Sequence, residues 1–261
     1  MSNPIYFVIQ NTHVPSIEGA TFIESIEQTN WWANSTDTKY INADDEDAVN
    51  DAIEKVGISN VVPVGSIEFI NLFCLKHGVQ EPAAMNVPTE LNIPKYTMRK
   101  IWYGMAANEL HALPIDCPKG CYLVKPGITP KLFPASAYYP GKDVPKILQG
   151  EKNLFVSEML KQDIVSEWRL FLRHGDIMDQ RPYYMSKWVM PARDVCNEMA
   201  SLLEKYPALT LDVAVLESGE TVVIEAHLFL GCGLYGFEGQ LLTYMAHLAW
   251  QYQCNLTKGD K

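Results

Sequence analysis

Two segments late in the chain carry acids where strands would otherwise be apolar. Residues 209–217 read LTLDVAVLE and residues 221–229 read TVVIEAHLF, separated by Ser218-Gly219. Period-two alternation puts Leu211, Val213 and Val215 on one face and Asp212 and Ala214 on the other. In the second strand Val222, Ile224 and Ala226 share a face, and Val223, Glu225 and His227 share the opposite one. A hairpin turned at Ser218-Gly219 therefore gathers Asp212, Glu225 and His227. Carboxylates flanked by Val, Ile and Leu are costly to bury unless paired or bound to a cation. Two of them on neighbouring strands suit Mg²⁺, with a substrate phosphate and waters completing the octahedron. The same pattern also fits a pair of solvent-facing acids on a half-exposed hairpin.

Cationic side chains stand in comparable settings. Lys125 ends the apolar run CYLVKP, just before Pro126 and a Gly-, Pro- and Tyr-rich stretch, residues 127–144, that reads as a mobile loop or flap. An ammonium there is placed for phosphate oxygens, or it snorkels to solvent from the strand end. In VSEWRLFLRHG, Val165, Glu167, Arg169 and Phe171 share one strand face. Arg169 then either forms a structural ion pair with Glu167 or clamps a phosphate or carboxylate while Glu167 holds it. Cys117 and Cys121 have no second cysteine pair and read as incidental loop thiols, not as a zinc site.

Positioning these groups falls to the elements around them. Residues 4–10 read as an apolar strand, 44–56 as a helix opened by acids, 60–65 as a buried strand, and Ser66 as the cap of a helix that stops at Gly78. This β-α-β-α order predicts a parallel sheet. The proline-spaced residues 82–94 read as a linker. Beyond it, YTMRKIWY and CYLVKP read as strands, followed by strand segments at 154–160 and 165–175 and a turn into YYMSKW. A helix over about 192–206, the acid-bearing hairpin and a last helix over about 238–252 complete the order. There is no internal repeat or low-complexity tract.

The 261 residues suffice for one large or two modest domains. A net charge of −10 weighs against a protein that grips nucleic acid through its overall field. No signal peptide or apolar run of membrane-spanning length is visible, and the six scattered cysteines read as reduced thiols, so a cytoplasmic protein without a membrane partner is expected.

The succession of pieces resembles the ATP-grasp superfamily. It is most similar to a clade named for two arginines and a lysine, common in bacteria and their phages. The resemblance rests on VGSIEF (residues 64–69), VKP followed by Lys131 and Phe133, SEWRLF (166–171) and LDVAV…VIEAH…GLYG, and it covers roughly residues 60–240. It implies an α/β (α+β) chain: an N-terminal α/β pre-ATP-grasp domain, residues 1–92, then an ATP-grasp fold with antiparallel sheets and flanking helices, residues 93–261. It further implies that Lys125 and Lys131 contact ATP and that the FVSEML strand, through Ser157, Glu158, Met159 and Leu160, binds adenine as a hinge. Arg169 and Arg99 fit the two arginines, with Glu167 beside them in the catalytic set and Arg181 and Arg193 as competitors. Asp212 and Glu225 fall at the metal positions, and His227 stands where the family usually has Asn. The implied cofactors are ATP and Mg²⁺. The implied reaction activates a small-molecule or peptide carboxylate as an acylphosphate, which an amine acceptor or another nucleophile attacks. Alternative readings are a nucleotide-binding regulatory protein without turnover and a nucleic-acid end-modifying enzyme; the acidic balance weighs against the second.

Overall fold

The computed structural model describes residues 4–14, 16–33 and 37–259. Its first part runs β1 (Ile5–Ile9), α1 (Ile17–Ala33), β2 (Thr38–Asn42), α2 (Glu46–Val56), β3 (Val61–Val64) and α3 (Ile67–His77). The strands form a parallel sheet in the order β2-β1-β3. Strands β1 and β3 are continuous apolar runs, as a sheet covered on both faces requires: Phe7, Val8, Ile9, Val61 and Val62 are all buried. Asp45 caps α2 by accepting the Ala48 N–H, and the Ser66 hydroxyl accepts the Phe69 N–H to start α3. Gly78, in the left-handed region at φ 68°, ends α3. The predicted parallel sheet is present. Helix α1 and strand β2 are additions to the sequence reading. The buried residues of α1 include Gly19 and Ser25 among its hydrophobes, and β2 leaves Lys39, Tyr40 and Asn42 exposed, so neither carries a strong apolar period.

The chain continues through α4 (Pro94–Thr97), β4 (Ile101–Met105), β5 (Tyr122–Pro126), β6 (Ser136–Tyr138), β7 (Leu154–Glu158), β8 (Ile164–Arg173) and β9 (Asp176–Met185). It closes with α5 (Arg193–Ser201), β10 (Leu209–Leu216), β11 (Thr221–Leu228) and α6 (Gln240–Gly259). Two antiparallel sheets result, ordered β4-β7-β5-β6 and β11-β10-β8-β9. Strand β7 lies in the interior of the first and leads directly into β8 of the second.

Several expectations change. YTMRKIWY is not one strand: Pro94 opens the helical turn α4, Met98 at φ 48° ends it, and β4 begins only at Ile101. Arg99 therefore lies ahead of the strand and not on it. Residues 127–144 are not one open loop, because β6 pairs with β5 and Phe133 is buried in the same core as Tyr122 and Val124. Helix α5 is shorter than the predicted 192–206, and α6 starts and ends later than 238–252. Residues 82–94 are no free linker. The Ala84 N–H bonds the Ile128 carbonyl, the Asn86 carbonyl accepts the Ala226 N–H, and Val87 and Leu91 are fully buried.

The acid-bearing hairpin forms, with one irregularity. Thr210 faces His227, Leu211 faces Ala226 and Asp212 faces Glu225, but Val213 faces Val223. Ile224 is the extra residue of a β-bulge. The bulge reverses part of the expected facing: Val223 joins Ala226, Leu211 and Val213 in the core beneath the sheet, instead of sharing a face with Glu225 and His227. A larger core unites Phe7, Phe22 and Phe73 of the N-terminal unit with Phe229, Phe237, Met245 and Trp250 near the other end of the chain.

Candidate active site

The two antiparallel sheets meet at one cavity of about 670 Å³. From the first sheet comes Lys125, at the end of β5. From the second come Arg169 of β8 and Glu225 and His227 of β11, and the remaining wall includes Lys131, Asn86, Cys232 and Tyr235. Asn86 ties the sheets together: its side-chain amide donates to the Pro126 carbonyl at 2.9 Å, and its backbone bridges to Ala226. The end of β5 is thereby held against the acidic strand.

Arg169 and Asp212 lie directly opposite each other on β8 and β10. Arg169 Nε and Nη2 each donate to one Asp212 oxygen at 2.7 Å, and Nη1 donates to the Gly233 carbonyl at 3.0 Å. The side chains are 7% and 3% exposed. A charge that deep is tolerated only when its partner and hydrogen bonds are complete. Burial works against the Arg169 charge, but the hydrogen bond and charge of Asp212 outweigh it and hold the guanidinium firmly protonated. Its face packs on the Tyr235 ring at 5.0 Å and lies 6.0 Å from Tyr183, and these two rings stack on each other at 5.2 Å. The ion pair with Glu167 that strand alternation offered is replaced by this fork, because Asp212 is in register across the strand pair. Glu167 instead meets the Tyr183 phenol, and burial followed by the Asp212 charge raises that phenol's pKa well above its usual range.

Glu225 is shared. One oxygen binds Lys125 Nζ across the gap between the sheets, and the other lies 3.0 Å from His227 Nε2. Burial raises its pKa, but the His227 hydrogen bond and the His227 and Lys125 charges prevail and hold it well below the usual carboxylate range. Asp212, Glu225 and His227 each offer a ligand atom within 4.8 Å of the others. Ligands on opposite sides of a hard divalent ion stand roughly 4–5 Å apart, twice a metal–oxygen bond. The donor set thus fits a divalent cation.

Other predicted residues lie elsewhere. Arg99 does not line the cavity; its guanidinium donates to the carbonyls of Val223 and Ile224, at 2.9 and 3.2 Å, on the outer side of the bulge. Burial lowers its pKa to about 10. Ser157 and Glu158 end β7, where the Glu158 N–H bonds the Lys100 carbonyl, and Leu160 packs with Ala214 and Val222. Together with Met159 they form the passage between the sheets and do not reach the cavity wall. Lys131 does lie on the cavity wall, and there it reaches Glu68 of α3 at 3.9 Å. Arg181 pairs with Asp179 on the edge strand β9, and Arg193 begins α5. The sequence reading missed Asn86, Tyr183, Tyr235 and the Gly233 carbonyl; GLYG at 233–236 stands out as a motif, but nothing in it assigns a partner. Cys232 also lines the cavity, and burial pushes its thiol up to about 11, against the pull of Arg169.

A family profile matches residues 96–245, more than half of the chain; it describes an ATP-grasp domain, the second family of the clade named for two arginines and a lysine. The protein belongs to this family. No curated protein sequence matches it. Among solved structures it is similar to the D-alanine–D-alanine ligase of Bacillus anthracis, at 11% identity and TM-score 0.55, with 100% of each chain covered. It is similar to the L-amino acid ligase of Bacillus licheniformis, at 12% identity and TM-score 0.54, over 95% of this chain and 75% of that one. An N5-carboxyaminoimidazole synthetase from Staphylococcus aureus follows at 13% identity and TM-score 0.51, over 96% of this chain and 78% of that one. At such identities the likeness is one of fold. The expected mixed α/β ATP-grasp architecture, with antiparallel sheets and flanking helices, is thereby borne out, as is membership of the clade. Among the described residues no helix of this ATP-grasp protein is long and apolar enough to cross a membrane.

Proposed function

We propose that this protein is an ATP-dependent carboxylate–amine ligase working through an acylphosphate, with nucleotide held between its two antiparallel sheets. The observation that carries the proposal is one cavity between those sheets, across which Lys125 meets Glu225 and whose wall includes Arg169, itself forked to Asp212 within the second sheet. These are two cations and two carboxylates, already charge-balanced; the Lys125–Glu225 pair can exchange with a polyphosphate and its cation, and Arg169 keeps donors beyond its fork.

Lys125 leaves Glu225 for a phosphate oxygen when nucleotide enters. Three of the five guanidinium N–H donors of Arg169 are committed to Asp212 and Gly233. The others remain for equatorial phosphoryl oxygens, on a side chain already fixed, so little reorganisation is needed as charge develops. A divalent cation, Mg²⁺ by the family resemblance, would be held by Asp212 and Glu225 and would neutralise phosphate charge there. Ser157, Glu158, Met159 and Leu160 would hold the base beside Ala214 and Val222, which lie on the same sheet face as Asp212. A substrate carboxylate oxygen attacks the γ-phosphorus as the bond to the β-phosphate oxygen breaks, releasing ADP. The amine acceptor then attacks the acyl carbon and expels phosphate. The carboxylate is a small molecule or a peptide in this reading.

Mass spectrometry of products from purified protein, ATP, Mg²⁺ and pooled carboxylates and amines tests the proposal. ADP and phosphate in step with a new amide are expected. AMP and pyrophosphate would mean adenylation, and nucleotide binding without turnover under every acceptor would favour a regulatory binding protein.

A further inference from the structure

The candidate cation cluster differs in chemistry from an all-oxygen magnesium site, because the third side chain that offers a donor is an imidazole. His227 lines the cavity beside Glu225, with Nε2 3.0 Å from Glu225 Oε1, and its side chain is 39% exposed. Its ligand atom falls within 4.8 Å of those of Asp212 and Glu225. Directly across the strand pair stands Thr210, whose buried hydroxyl has no hydrogen-bond partner among the described residues. Facing residues on one sheet face have Cβ atoms roughly 4.5–5.5 Å apart, within reach of a hydroxyl and an imidazole. Histidine ligands commonly use one ring nitrogen for the metal and donate the other to such an oxygen, which fixes the ring.

We propose that His227 is a metal ligand and that the Asp212–Glu225–His227 site takes a first-row transition ion such as Mn²⁺ in preference to Mg²⁺, the inference resting on the nucleotide reading above. Mg²⁺ sheds water reluctantly and favours oxygen in a strict octahedron. Imidazole nitrogen suits transition ions, and Mn²⁺ also accepts the carboxylates and phosphate oxygens that share this site. The balance of charges sets a condition on binding. Arg169 and Lys125 already neutralise the two carboxylates, so the cation enters with the polyphosphate and not before it.

The experiment uses the intact protein, Mn²⁺ and the methylene-bridged ATP analogue, which does not transfer its terminal phosphoryl group. Pulsed electron paramagnetic resonance on protein carrying ¹⁵N-histidine reads nitrogen bound to the metal directly. A histidine nitrogen coupling is expected in the ternary complex and is absent from His227→Asn. Competition with Mg²⁺ gives the second readout. Wild type should hold Mn²⁺ against excess Mg²⁺, and His227→Asn should lose Mn²⁺ affinity by at least the roughly 10–100-fold that disturbing outer-shell partners costs, and with it the preference for Mn²⁺ over Mg²⁺. Mn²⁺ bound beside the analogue without histidine coupling overturns the inference and leaves the nucleotide reading standing. Failure of the analogue to bind with either metal overturns both. The wild-type spectrum decides the ligation even where the variant folds poorly.

Discussion

Glu225 is the side chain on which both sheets depend, and its titration is a measurable consequence. Burial alone would raise its pKa, yet His227 and Lys125 hold it far below the ordinary value of about 4.3. A depressed carboxylate adds stability that is fully present above the unfolded-state pKa and is lost as pH falls toward the folded one, because the unfolded chain takes up the proton first. Stability of the nucleotide-free protein should therefore fall as pH drops below about 5. Glu225→Gln removes this contribution, so its urea-unfolding free energy should be lower near neutrality and change less steeply through the acid range. An acid limb as steep as that of wild type would show that the proton is taken up elsewhere. The groups gathered around Glu225 were largely legible in the sequence for a simple reason. Asp212, Glu225, His227, Lys125 and Arg169 each interrupt an apolar strand, where a polar residue needs a partner. What the strands do not encode is which partner each one takes. Arg169 meets Asp212 and not Glu167, because cross-strand register, set by the whole sheet, decides between them.

At the scale of elements, the bulge at Ile224 and the residue behind it govern how the acids are presented. A bulge leaves carbonyls without ladder partners, and Arg99 donates to both Val223 and Ile224. This use of Arg99 differs from the phosphate contact implied by family resemblance, and the two make different forecasts. Lysine offers a point charge where arginine offers a fork. Arg99→Lys should thus leave one buried carbonyl unsatisfied, costing about 1–3 kcal/mol, and loosen Glu225 and His227 together. Thermal unfolding and nucleotide affinity should both decline. A variant with wild-type melting temperature and reduced turnover would return Arg99 to direct contact with substrate. The bulge itself was invisible to alternation, which assumes one residue per step. Asn86 was hidden for a related reason. Its left-handed backbone, φ 49°, and its two bonds to distant strands turn a proline-rich stretch into a clasp, and no local signal records such partners.

For the whole molecule, the acid hairpin and the N-terminal sheet are not independent constructions. The core that holds Phe7, Val62 and Phe73 also holds Phe229, Phe237, Met245 and Trp250, and Trp250 Nε1 donates to the Ile58 carbonyl at 2.7 Å. Hydrogen bonds from Leu234 to Glu18 and from Gly239 to Ser25 fix the loop behind the cavity to α1. The fragment 1–92, read from the sequence as a domain, would expose the apolar surface that α6 covers. It should fail to unfold cooperatively in calorimetry, whereas a sharp two-state melt of that fragment would establish it as a self-sufficient unit.

The same shared core has a consequence for synthesis. The N-terminal unit is complete by Val79, yet the helix that covers it begins only at Gln240. At a translation speed of roughly 5–20 residues per second, about 8–32 s pass between the emergence of one half and the start of the other. Throughout that interval the nascent N-terminal sheet presents Phe7, Phe22 and Phe73 with their covering helix still unmade. The chain is thus committed to a late closing step, and the length of that exposure is written into the order of its segments.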